Sequence, residues 1–222
     1  MKTVLAFLED LAKNNHKEWF TTHKAQYDAA KKKFDALSID LIENLSHFDT
    51  RLVGLTLKDA TFRIYHDLRF HRDRPPYKNH FCVYACPYGK NSGYAGYYLH
   101  IEPIEDTFLL CSGLYNPTPA VQKRIREEFA HHSAPLIEAL QECSDFHLPW
   151  DTAYKKIPRG FAATDTYADY YRLRSYELYK KISVEDFLRP DFVEWAAAQL
   201  KRTYRFNEIL NRCVDEVREE GL

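Results

Sequence analysis

The sequence predicts a single α+β domain over residues 1–222, with a mainly antiparallel sheet and long helices from both chain ends packed on one face of it. Three observations support this class. Apolar side chains recur at helical spacing near both ends, they alternate with polar ones in the middle, and no repeat or flexible linker divides the chain. With 222 residues, the chain can bury a substantial core without disulfides.

The N-terminal part predicts two helices. Val4, Leu8 and Leu11 recur at helical spacing between Thr3 and Asn14, which favours a first helix there. An apolar stripe with a seven-residue period predicts one long amphipathic helix over residues 17–47. The aromatic and aliphatic members of this stripe are Phe20, Tyr27, Phe34, Leu41 and Phe48.

The middle of the chain predicts four strands, because the apolar period changes to two. We expect them over residues 62–67, 80–86, 94–102 and 107–115. The last two are joined by a short turn, which is typical of a hairpin.

The C-terminal half predicts a return to helices. Two are expected over residues 120–131 and 134–142, followed by a loop over 144–161. Residues 170–180 are candidates to rejoin the sheet, and one final helix is expected from Pro190 through Val217.

Charge and cysteine content limit the function classes. Lys and Arg number 31 against 32 Asp and Glu, so any polyanion binding must come from a local patch. The five cysteines have scattered spacing, and Glu9 and Asp10 interrupt the apolar N-terminus, which favours a cytoplasmic protein with reduced thiols. No apolar run approaches the roughly 18 to 20 residues that span a bilayer, so no membrane partner is expected.

A local basic patch exists in FRIYHDLRFHRDRPPYKNHF, residues 62–81. Strand alternation directs Arg69 to one side, and Pro75-Pro76 turn the chain so that Lys78 comes back beside it. We therefore expect Arg63, Arg69 and Lys78 to converge on one anionic group. The predicted ligand-binding residues are Arg63, Arg69, Tyr77, Lys78, His80 and Tyr98. The alternative is a solvated loop in which Asp67 and Asp73 form ordinary ion pairs with neighbouring arginines.

The same strands carry weak candidates for catalysis and for metal binding. His100 and Glu102 lie two residues apart on one face, a spacing compatible with general acid/base work. A tetrahedral metal site would need nitrogen and sulfur ligands from several strands, with His80, Cys82, Cys86, His100 and Cys111 as the available donors. Because these residues lack the spacing of known zinc motifs, we predict no metal. The seven glycines form no phosphate-binding loop, and no cofactor is expected.

Five segments in order resemble the motifs of a known family. They are FLEDLAKNNHKEWF, RIYHDLRFHRDRPPYKNHF, GYYLHIEP, SGLYNP and KKIPRGF. Together they are similar to domain of unknown function 2461, a family of conserved hypothetical proteins. The resemblance implies a single domain and no particular activity. The family pattern has an arginine-rich strand end, a basic turn and a Pro-Tyr-Lys run. In this sequence it corresponds to Arg63, Arg69, Pro76, Tyr77 and Lys78.

This chain departs from the family pattern at two positions in the basic stretch. His71 stands where a small polar residue is usual, and Pro75 stands where a hydroxyl residue is usual. These departures concern the fine specificity of a ligand site more than its existence.

Three function classes remain open. The first is a pocket, enzymatic or not, for a small ligand that carries a phosphate or carboxylate. The second is a nucleic-acid-associated module, in which Tyr65, Tyr84 and Tyr98 stack on bases beside the basic stretch. The third is a non-enzymatic interaction protein. The near-neutral charge favours the first over the second.

Overall fold

The centre of the molecule is a four-stranded antiparallel sheet in the order β1-β2-β3-β4. A computed structural model describes residues 1–67 and 74–221. The strands are β1 (Phe81–Ala85), β2 (Gly96–Glu102), β3 (Thr107–Leu114) and β4 (Tyr176–Lys181). Each strand is the neighbour of the next along the chain, and the predicted hairpin between β2 and β3 is confirmed.

Helices from both ends of the chain cover one face of this sheet, which confirms the α+β class. The helices of the described part are α1 (Lys2–Lys13), α2 (Lys17–Thr22), α3 (Lys24–Ser46), α4 (Leu57–Ala60), α5 (Pro119–His131), α6 (Ser133–Glu142), α7 (Val184–Phe187), α8 (Phe192–Lys201) and α9 (Tyr204–Glu219). None of the helices in the described ranges combines the length and apolarity that crossing a membrane requires.

Strand alternation builds the core between the sheet and these helices. Val83, Leu99 and Leu110 lie side by side on adjacent strands and are almost fully buried. Phe34 of α3 packs on Phe81 of β1 with ring centroids 5.2 Å apart. This face is therefore closed by packing, as expected for one apolar sheet face covered by helices.

The predicted helix over residues 17–47 is wrong at its start, because it breaks at His23. The His23 imidazole stacks on Trp19, with ring centroids 4.2 Å apart, and its Nδ1 lies 2.8 Å from the Trp19 carbonyl oxygen. The Thr22 hydroxyl also donates to that oxygen, at 2.9 Å. These side-chain bonds occupy the end of α2, and a new helix begins at Lys24.

The predicted strand over residues 62–67 is also wrong, because only isolated bridges form there. Thr61 pairs with Val83, and Tyr65 pairs with Tyr77. Pro75 and Pro76 have no N–H to donate, so the two arms cannot form a continuous ladder.

The final helix is two helices, α8 and α9, separated at Thr203. This residue is fully buried, and its hydroxyl lies 2.6 Å from the Ser112 Oγ of β3 and 2.7 Å from the Leu200 carbonyl oxygen. A buried polar contact with the sheet at this position favours a change of helix direction over an uninterrupted helix.

Candidate functional site

The second face of the sheet carries polar and aromatic side chains. The strand register places Tyr84 beside Tyr98, Tyr98 beside Cys111, and Gly113 beside Glu177. These residues alternate with the buried core positions, so they point away from the helices that cover the first face. The second face therefore differs in composition from the apolar, helix-covered first face.

A cavity of about 700 Å³ lies over this second face. Its floor includes Tyr84, Tyr98, Cys111 and Glu177 from all four strands. Its surrounding walls come from the segment after α4, from the segment after β1, from the start of α5 and from the end of α9. They include Phe62, Lys90, Tyr94, Val121, Val217 and Arg218.

Two glycines that face each other keep the floor of the cavity open. Gly96 on β2 pairs with Gly113 on β3, and a Cβ atom at either position would lie less than 3.0 Å from a neighbouring strand. Gly113 also has φ of +117°, a conformation that side chains disfavour. Only glycine fits both positions without moving the backbone.

Cations border the cavity at two places. Lys78 and Lys90 flank the Phe62 ring, with their Nζ atoms 5.6 and 5.7 Å from its centroid. Arg218 lies over the Tyr94 ring at 4.3 Å and donates to the Ser92 carbonyl oxygen. Within residues 1–67 and 74–221, none of these three cations has a carboxylate partner. Lys90 also donates to the Lys58 carbonyl oxygen, so within the described residues these cations bond backbone oxygens or aromatic rings and no carboxylate neutralises their charge.

Glu177 contributes a carboxyl group to the same cavity. Burial raises its pKa above the ordinary value, and the described residues offer it no hydrogen bond or ion pair. Sequence reasoning missed this residue. The alternation in YELYKK could have identified it. In a strand over residues 176–181, Glu177 points to the sheet face that the buried Tyr176 and Leu178 do not occupy.

The thiols on this face are neutral. Burial raises the pKa of Cys86 to about 11 and shifts that of Cys111 upward as well. A thiol with a raised pKa is a poor nucleophile at neutral pH, so these cysteines serve as small apolar groups here.

Beyond Tyr98, the same face carries a compact polar cluster, which we call the histidine cluster: Tyr98, His80, His100 and Glu102. The Tyr98 hydroxyl lies 2.9 Å from His100 Nδ1, and His100 Nε2 lies 3.1 Å from Glu102 Oε2. His80 Nδ1 lies 4.0 Å from the same carboxylate oxygen, and the two imidazole centroids are 4.5 Å apart.

The histidine cluster is only partly exposed, which affects its protonation. Burial, helped by the neighbouring His100, Lys78 and His66, lowers the pKa of His80 to about 3. His80 is therefore neutral in the folded protein at neutral pH. A neutral imidazole beside a second imidazole and a carboxylate provides nitrogen and oxygen lone pairs that are able to hold a metal ion.

The structure brings some of the predicted site residues together and separates others. His80 and Tyr98 meet His100 and Glu102 in the histidine cluster, and Lys78 lies beside the ring of Phe62, a residue that lines the cavity. Arg63 is exposed and does not line the cavity. Arg69 lies outside the described residues, so its predicted convergence with Lys78 stays a prediction.

Tyr77, a predicted ligand-binding residue, occupies a buried position. Its ring stacks on Phe20 with centroids 4.0 Å apart, and 5% of the residue is exposed. Asn15 bonds both the N–H and the carbonyl oxygen of Tyr77. These contacts hold the residue in the N-terminal aromatic core.

The family model for a conserved hypothetical protein, DUF2461, matches residues 3–208 of this chain. The chain belongs to the DUF2461 family. Neither a curated protein nor a solved structure shows a match. The DUF2461 match includes Lys78, Lys90 and the whole histidine cluster, whereas Arg218 lies beyond its last residue.

Proposed function

We propose that this protein binds a small organic anion in the cavity over the second sheet face. The observation that carries the proposal is a cavity of about 700 Å³ whose lining includes Lys90 and Arg218, with Lys78 beside the lining ring of Phe62. Within the described residues, none of these three cations pairs with a carboxylate. Ligand sites commonly measure about 300 to 1,000 Å³ and combine apolar walls with a few polar groups. The cavity has both properties.

The walls favour a ligand with a flat or apolar body. Tyr84, Tyr98 and Tyr94 present aromatic surface, while Val121 and Val217 supply aliphatic contacts. The acidic group of the ligand, a phosphate or a carboxylate, would face the cations at the rim. Glu177 would accept a hydrogen bond from a ligand hydroxyl or amine, or donate one when protonated.

The cavity supports a small ligand better than a nucleic acid. The Tyr84 hydroxyl donates to the Tyr94 carbonyl oxygen at 2.8 Å, and the Tyr98 hydroxyl bonds His100. These rings are held within a concave floor and do not form an open stacking platform. The five cysteines are all free and buried, which supports a reducing compartment such as the cytoplasm for this activity.

The test is a thermal-shift screen of phosphates, nucleotides and carboxylates, followed by calorimetric titration of each hit. Lys78→Gln, Lys90→Gln and Arg218→Gln should each weaken binding about tenfold or more, because a charged hydrogen bond contributes about 1.5 to 3 kcal/mol. Arg69→Gln belongs in the same series. Lys32→Gln is the matched control, since Lys32 is exposed on α3, a helix of the covered face.

The same titrations distinguish the alternatives. A closed site for a small anion should lose little affinity between about 50 and 200 mM salt, whereas a polyanion surface should lose it steeply. Binding that is equally strong in all the cation variants would contradict the proposal. So would a screen in which no anion stabilises the protein.

A further inference from the structure

We propose that His80, His100 and Glu102 form a binding site for a divalent transition-metal ion. The three residues each offer one ligand atom, and these atoms all lie within 4.8 Å of one another. The sequence predicts no metal because its donors lack motif spacing. The tertiary structure supplies a donor set that no linear motif describes.

The antiparallel register explains how the donors meet. His100 and Glu102 are two residues apart on β2, so their side chains share the second face of the sheet. Phe81 pairs with Ile101, which places His80, the residue before β1, across from Glu102. A cross-strand pair and its diagonal neighbour thus provide three ligands on one side of the sheet.

The distances suit coordination after small adjustments. Nitrogen and oxygen ligands lie about 2.0 to 2.2 Å from zinc, so two ligands of one ion are separated by about 3 to 3.5 Å. His100 Nε2 and Glu102 Oε2 are already 3.1 Å apart, and His80 Nδ1 is 4.0 Å from that oxygen. A side-chain rotation that moves His80 Nδ1 by about an ångström is enough to bring it within the ligand–ligand distance of one ion.

A neighbouring hydroxyl orients one of the ligands. Tyr98 holds His100 at Nδ1, the ring nitrogen opposite the one that faces Glu102. A tautomer with its proton on Nδ1 donates to the Tyr98 oxygen and leaves Nε2 free for a metal. Metal-ligating histidines usually have such a partner on the second nitrogen.

Charge and access also fit an ion. As metal ligands, two imidazole nitrogens and one carboxylate supply one negative charge in total, which favours a divalent cation over a monovalent one. The side chains of His80 and Glu102 are 24% and 21% exposed, so an ion can reach them from solvent. Three protein ligands leave coordination positions for water or for an exogenous group. Tyr98, the hydrogen-bond partner of His100, also lines the cavity, so the proposed metal site is a neighbour of the cavity.

The test is direct titration of the chelator-treated full-length protein with Zn²⁺, and separately with Co²⁺, whose visible absorption reports nitrogen and oxygen coordination. We expect about one ion per chain. His80→Ala, His100→Ala and Glu102→Gln should each weaken Zn²⁺ binding at least a hundredfold, and Tyr98→Phe about tenfold, since loss of an orienting partner typically costs 10- to 100-fold.

Two exposed residues provide matched controls: Glu105→Gln in the β2–β3 turn and His131→Ala at the end of α5. Both should bind Zn²⁺ like the wild type. Glu102→Gln keeps the size of the side chain, and its thermal unfolding midpoint shows whether it remains folded. Absence of Co²⁺ absorption, or wild-type affinity in the His100→Ala and Glu102→Gln variants, would overturn the proposal. These titrations use no organic anion, so their result is independent of the proposed ligand.

Discussion

Gly96 and Gly113 face each other across the β2–β3 ladder, and neither position has room for a Cβ atom. At Gly113 the added atom would meet the backbone of Tyr176 and Glu177 on β4, and at Gly96 it would meet Ala85 and Cys86. The close approach of the four strands at this point therefore depends on the absence of side chains. It also shapes the floor of the cavity.

We predict that Gly113→Ala lowers the free energy of unfolding by about 3 kcal/mol, because a positive φ and a backbone clash act together. Gly54→Ala is the control. Gly54 also has a positive φ, of +82°, but a Cβ there has no neighbour within 4 Å, so it should cost only about 1 kcal/mol. Denaturant unfolding of the two variants measures the difference. Equal losses would show that the clash is relieved by backbone movement.

A buried amide joins α9 to the start of β2. Asn211 is 2% exposed, accepts the N–H of Ala95 at 2.7 Å and donates to its carbonyl oxygen at 3.2 Å. Asn211→Ala leaves both backbone groups without partners, so we expect a loss of about 2 kcal/mol in the free energy of unfolding. Asn91→Ala, at an exposed position, should change it by less than about 0.5 kcal/mol. A small loss of stability in Asn211→Ala would indicate that other groups form hydrogen bonds with the N–H and carbonyl oxygen of Ala95.

The buried carboxyl of Glu177 makes stability depend on pH. Burial raises its pKa in the folded state, so the folded protein favours the protonated form. Its contribution to stability is fully present below the ordinary pKa near 4.5 and is lost as pH rises through the raised value. Glu177→Gln should therefore be more stable than the wild type at pH 7, and this advantage should shrink at pH 4. Chemical unfolding at both pH values checks it, and an advantage that does not change with pH would contradict the assignment.

Tyr77 offers a test of its placement in the core. Tyr77→Phe keeps the ring stacked on Phe20 and should change the free energy of unfolding by less than about 1 kcal/mol, whereas Tyr77→Ala should cost about 3 to 5 kcal/mol. Tyr77→Phe should also leave the affinity for any identified anion unchanged. A marked loss of affinity in Tyr77→Phe would show that this hydroxyl contributes to the ligand site.

Local pattern was sufficient for the α+β class, the β2–β3 hairpin and helices α1, α5 and α6, because these elements follow from periodicity and short turns. Patterns failed where a side chain competes with regular hydrogen bonding. His23 and Thr203 end helices through side-chain contacts that periodicity does not show. The basic stretch was visible as charge, yet Pro75 and Pro76 prevent the strand that alternation suggested.

The sequence by itself determined which residues share the second sheet face, because successive side chains of a strand alternate between faces. Only the tertiary structure decided which of them meet. The strand register places His80 against Glu102 and Gly113 against Glu177, and the fold brings Arg218 from the last helix to the cavity. These relationships join positions up to 156 residues apart, from Phe62 to Arg218, and depend on pairing and packing that no local pattern encodes.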